Sequence, residues 1–264
     1  MQQEDPRFEL GSLSPFIWSL AADTAPYNRD WEILTHDVNI ALLNEWRSWS
    51  PKGQVLEVGP IKNRLLAKCI SGFQGAIIMA RFGMILESKS LSRGVFEAAF
   101  WIQYFVVDPD QALSDFESSE YSSLSEQCEA MAKVVSKEIS DKYAEAGQKW
   151  KAMTRAKNPL GPKSVHKKSS LDNAYYAYYK HLCAVAAHAS ISSLESYLDT
   201  SGESVGHILA ADFEDSNKAY FFAIHAGLLA LAVYANPHAS DVFQQKWIAL
   251  MSRLEKLSEE ITPF

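Results

Sequence analysis

Ser90-Leu-Ser-Arg93-Gly-Val-Phe-Glu97-Ala-Ala-Phe-Trp101-Ile-Gln-Tyr-Phe-Val-Val107 carries only two charges, Arg93 and Glu97. Four positions apart on a helix, they share a face one turn apart inside an otherwise apolar segment. A charge in low dielectric is costly unless it is paired and hydrogen-bonded, so the segment reads as a core helix whose ion pair needs further partners. His188 and His225 lie in two other strongly apolar segments, and Tyr178 and Tyr179 offer hydroxyls. Together these residues predict a polar pocket walled by aromatics, suited to a small polar ligand or to acid–base chemistry by a histidine. The competing reading is a structural ion pair with satisfied core histidines.

Around that helix the chain reads as further helices. Trp31, Leu34, Val38, Ala41, Leu42, Trp46 and Trp49 follow a 3.6-residue period, predicting a helix over residues 28–49. Pro60 fits the first turn of a second helix reaching about Glu87, with small residues Gly72, Ala76, Ala80 and Gly83 along one side. Asp108-Pro109-Asp110 stops the third helix. The polar stretch from Gln111 to about Lys157 reads as one long helix, or two joined by a kink near Gly147. A fifth helix runs from Asp172 to about Leu198. A sixth, from Lys218 to Ala235, is apolar all round and therefore central. The last begins at Ser240 and Asp241 and carries Phe243, Trp247, Leu250, Leu254, Leu257 and Ile261 at steps of four and three. Such a heptad seam packs on the bundle or on a second copy, a candidate homodimer contact. The expectation is an all-α fold: an irregular arm over residues 1–28, then one bundle of about seven mostly antiparallel helices over residues 29–264.

A chain of 264 residues, 47% hydrophobic, can bury a substantial core. Its net charge of −7 argues against nucleic-acid binding over the whole surface. Three separated cysteines, Cys69, Cys128 and Cys183, read as buried reduced thiols of a cytoplasmic protein. The first residues lack the basic and apolar regions of a signal peptide, and Ala219–Ala235 is short for a bilayer, so no membrane is expected.

Three further constellations carry possible chemistry. Residues 146–170 hold Lys149, Lys151, Arg155, Lys157, Lys163, Lys167, Lys168 and His166 without an acidic residue. Pro159 and Pro162 mark a loop, either a solvated linker or, through Lys163, Lys167 and Lys168, an RNA contact. Arg29 and His36, two turns apart, resemble the Arg-x(4–6)-His signature of the HEPN-type helical ribonucleases. In those enzymes the two residues act on the RNA phosphate while the 2′-hydroxyl attacks; an ordinary solvated helix face is the other reading. His181, His188 and Glu195 align at seven-residue steps, too far apart for one ion, so neither a metal nor another cofactor is expected.

The run from Ser92 to Phe105, followed by Tyr178-Tyr-Lys-His-Leu-Cys-Ala-Val-Ala-Ala-His188-Ala-Ser190, is similar to a bacterial all-helical family known only as a domain of unknown function. The resemblance spans roughly residues 30–235. It implies a helical bacterial cytoplasmic protein with Arg93, Glu97 and His188 as distinctive polar positions, and no activity. Three functions stay open: a module binding a small ligand or a protein partner through Arg93, Glu97, His188 and His225; a metal-independent ribonuclease or toxin-like phage-defence protein using Arg29 with His36 or Arg93 with His188; and a structural subunit of a complex.

Overall fold

Ser216–Ala235 is apolar on every side, and the bundle is built around it. The computed structural model describes residues 19, 21–23, 28–49, 57–154, 160, 162–187, 194, 198–199, 206–207, 213, 215–259 and 261. They form α1 (Arg29–Ser48), α2 (Val58–Arg81), α3 (Ile85–Val107), α4 (Pro109–Ala132), α5 (Lys137–Met153), α6 (Pro162–Lys168), α7 (172–187), α8 (Ser216–Ala235) and α9 (Asp241–Ser258). One two-residue antiparallel ladder joins Leu198–Asp199 to Gly206–His207. The fold is all-α. The expected arm over residues 1–28 lies almost wholly outside the described residues.

The centre is a layer of α2, α3 and α8, each packed on the other two. Phe73 from α2, Phe96, Phe100 and Phe105 from α3, and Tyr220 and Phe222 from α8 are all fully buried. Each buried aromatic or large aliphatic side chain contributes about 1.5–3 kcal/mol, so this layer supplies much of the driving force. Backbones come close where Gly72 faces α3, since a Cβ there would lie 2.9 Å from Val95. α8 is long and apolar enough to cross a membrane, but most of it is buried within the bundle. α1 and α9 cover its outer side. Leu250 and Leu254 are buried and Trp247 donates to the Leu228 carbonyl at 3.1 Å, so the α9 seam is occupied by the protein's own core.

Several boundaries differ from the sequence expectation. α2 stops at Arg81, because Gly83 adopts φ 69° and closes a Schellman cap: Gly83 N donates to Ala80 O at 3.0 Å and Met84 N to Met79 O at 2.8 Å. Gly83 is therefore a terminator, and the residues after it belong to α3. The long polar segment is an antiparallel hairpin that turns at residues 133–136. Gly147 is its point of closest approach instead of a kink. A Cβ there would sit 3.2 Å from Cys128, and Ser125 Oγ donates to the Gly147 carbonyl at 3.1 Å. The basic stretch is not a loop throughout: α6 begins at Pro162 and buries Val165 and His166 against α3, leaving Lys167 and Lys168 exposed.

α7 departs from a plain helix. Residues Tyr175–Tyr179 and Cys183–Ala187 form π-helical turns, with Lys180 N donating back to Tyr175 O. A π turn widens the helix and changes which neighbours share a face. It brings consecutive residues into the core: Tyr178 stacks on Phe96 at 5.9 Å, and Tyr179 meets Phe100 edge-on at 5.6 Å.

Candidate functional site

Arg93 Nη1 donates to Glu97 Oε1 at 2.6 Å, as their one-turn spacing on α3 requires. From α7, the Tyr179 hydroxyl donates to the same carboxylate oxygen at 2.7 Å and accepts from Arg93 at 3.3 Å. Cys183, one turn further along α7, lies close enough to act on both Arg93 and Tyr179. Cys183 is half-buried, whereas Cys69 is fully buried with its thiol donating to the Val95 carbonyl at 3.8 Å, and burial pushes its pKa up to about 12. Arg93 and Glu97 are each 28% exposed, so the pair is not the fully buried one the apolar segment suggests. Burial opposes the charge on Arg93, but Glu97 beside it, then Tyr179 and Cys183, hold its pKa above the usual value. Burial and the bond to Glu97 likewise push the Tyr179 hydroxyl far above its ordinary range. Arg93 Nε is buried without a hydrogen-bond partner among the described residues.

Glu97 also faces outward. With Ala98 and Trp101 it lines a cleft of about 500 Å³ bounded by α2 through Ile61, Arg64, Leu65 and Lys68, and by α4 through Phe116, Glu117, Ser119, Glu120 and Tyr121. Leu160 and Val165 close it. Helical spacing explains the α2 side: Arg64 and Lys68 are one turn apart at the edge of the stripe that buries Ile61 and Leu65. α4 is set by Asp108, whose side chain accepts from Gln111 N at 3.2 Å ahead of Pro109. It is tied to α3 by the Tyr104 hydroxyl, which donates to Asp115 at 2.7 Å. Trp101 is fixed edge-on against Phe116, ring centres 5.0 Å apart.

The other expected residues fall elsewhere. Tyr178 and His225 pack with tilted rings, centres 4.4 Å apart, in a separate aromatic cluster with Phe221, not on the Arg93–Glu97 pair. Burial pushes His225 down to about 4, so its ring is neutral at pH 7, and its Nδ1 lacks a partner among the described residues. His188 and Glu195 lie outside the described residues. His181 stacks on Phe222 at 5.3 Å, its pKa lowered by burial and by Lys89. Among the described residues, no group of three or more His, Cys, Asp or Glu side chains is gathered as a metal site requires.

Arg29 and His36 share a shallow surface depression with Ile33, Glu32 and Arg81, and His36 is 72% exposed. Burial would raise the Glu32 pKa, but Arg81 and the Tyr220 hydroxyl, both bonded to it, hold it below the usual range.

One buried residue stands in the sequence only as a neighbour of the basic lysines. His166 is fully buried, its ring 3.6 Å from that of Tyr175 and its Nδ1 3.1 Å from Asp172. Burial lowers its pKa, and Asp172 only partly offsets this. His166 holds α6 to the start of α7, and with it the Val165 side of the cleft.

The model of a family of unknown function, DUF5677, matches residues 61–205. The chain belongs to this family. No curated protein and no solved structure matches the chain. Every residue lining the cleft, and all of the Arg93–Glu97–Tyr179 network, falls within the DUF5677 segment; Arg29, His36 and His225 fall outside it. Arg64, Lys68, Trp101, Glu117 and Glu120 escaped the sequence reading because each is an ordinary amphipathic-helix residue until three helices bring them together.

Proposed function

We propose that the protein binds a small polar ligand in the cleft between α2, α3 and α4, with Glu97 as its anchoring group. The supporting observation is that one carboxylate both lines the cleft and accepts hydrogen bonds from two helices. A side chain held that way keeps one rotamer, so it offers a fixed acceptor at little entropic cost on binding. The cleft lies within the usual size range of small-molecule sites, and its lining combines aromatic and aliphatic residues with charged groups that a polar ligand can meet.

The test is calorimetric titration of the full chain with a panel of amino acids, dipeptides, nucleotides, sugar phosphates and polyamines. The expected result is a binder weakened about tenfold or more by Glu97→Gln, a change of about 1.4 kcal/mol. A binder indifferent to both Glu97→Gln and Trp101→Ala would place the ligand elsewhere and refute the reading.

A second reading, a metal-independent ribonuclease or defence toxin, is supported by the shared depression of Arg29, His36 and Arg81, two guanidiniums beside an exposed imidazole. RNA cleavage in EDTA that is lost in His36→Ala but retained in Glu97→Gln would favour it over ligand binding.

A further inference from the structure

The cleft carries opposite charges on opposite sides. Arg64 and Lys68 stand one turn apart on α2, and Glu117 and Glu120 share a face of α4 across from them. Glu97 between them is held by Arg93 and Tyr179 through one carboxylate oxygen, and on the α2 side Lys68 stands across from the two α4 carboxylates. Among the described residues, Lys68, Glu117 and Glu120 form no ion pair, so the two sides do not close on each other. A simple anion would be attracted by α2 and repelled by α4, and a simple cation the reverse. A molecule with both charges meets a partner at each end. Trp101, held between the two sides, adds an aromatic surface beside the carboxylates, where an ammonium or guanidinium is favoured.

Resting on the cleft reading above, we infer that the ligand is a zwitterion of amino-acid to dipeptide size. Its carboxylate lies against Lys68, and its ammonium among Glu97, Trp101 and the Glu117–Glu120 pair. A cleft of about 500 Å³ accommodates that size.

The experiment is calorimetric titration of the full chain with dipeptides in three forms: both termini free, N-acetylated, and C-amidated. The free form is expected to bind, and each singly charged form to bind at least about tenfold more weakly. Lys68→Ala should erase the penalty for amidation and Glu120→Gln the penalty for acetylation; both residues are exposed enough for the fold to survive. If an acetylated or amidated form binds within about twofold of its parent, the zwitterion inference falls while the cleft reading stands. If no free dipeptide or amino acid binds at about 10 mM, the inference is likewise overturned. A different class from the wider panel that binds and is weakened by Glu97→Gln would then keep the cleft reading alone.

Discussion

Tyr179→Phe removes one oxygen and leaves the ring's contacts with Phe100 and Tyr175 in place. What disappears is a 2.7 Å hydrogen bond to a carboxylate and the acceptor offered to Arg93. Hydrogen bonds to charged groups contribute about 1.5–3 kcal/mol. Glu97 and Arg93 are each 28% exposed, so water replaces part of what they lose. The expected cost is therefore nearer the lower end, about 1–1.5 kcal/mol, a fall in Tm of about 2–6 °C for a chain of this size. Glu97→Gln removes the charge from the same bond, and the two changes should couple by about 1 kcal/mol in a double-mutant cycle. Urea and thermal unfolding followed by circular dichroism at neutral pH give all four corners. Tyr176→Phe is the control, because Tyr176 is 55% exposed and its loss should be close to neutral. Coupling below about 0.3 kcal/mol, the ordinary scatter of independent sites, would refute the claim that this hydroxyl and this carboxylate act as one unit.

Two other outcomes follow from features away from the cleft. His225 is held near 4 against an ordinary 6.5, so between those values the unfolded chain binds a proton that the folded chain does not. Stability is complete above pH 6.5 and falls with pH toward 4, by at most about 3 kcal/mol from this residue. His225→Leu should therefore flatten the fall between pH 7 and 4.5, and an unchanged slope in urea titrations would contradict the assignment. Gly83→Ala forces a side chain into φ 69° and should cost about 1–2 kcal/mol in thermal unfolding; a neutral result would mean that α2 does not depend on that cap.

Helices with a one-sided or all-round apolar pattern were legible from sequence. α8 announced itself by having no polar face, α1 by its tryptophan and leucine stripe, and α9 by its seam and the Ser240 cap, which accepts from Phe243 N at 3.2 Å. The hairpin between α4 and α5 was not, because Lys133-Val-Val-Ser136 contains neither glycine nor proline and both flanking helices are polar. Gly83 did carry a signal, but set among Gly72, Ala76 and Ala80 it looked like part of a packing ridge. α6 was hidden by its lysines, whose charge masks the two inward positions, Val165 and His166. At the site, local periodicity reaches as far as the Arg93–Glu97 spacing on one helix. The Tyr179 contact depends on a wide turn that leaves no period in the sequence, and the cleft depends on the mutual packing of three helices.

The π turns of α7 make chain length itself a determinant of the Arg93–Glu97–Tyr179 arrangement. A π turn amounts to one extra residue inserted into an α-helix, and each residue of an α-helix advances the chain by about 100°. Deleting one residue between Tyr175 and Tyr179 would let the helix relax to regular winding and swing every later side chain by about a quarter turn, carrying the thiol of Cys183 away from Arg93. Evolution can exchange many side chains on this helix while keeping its contacts, but a single-codon deletion here would redirect the whole segment at once.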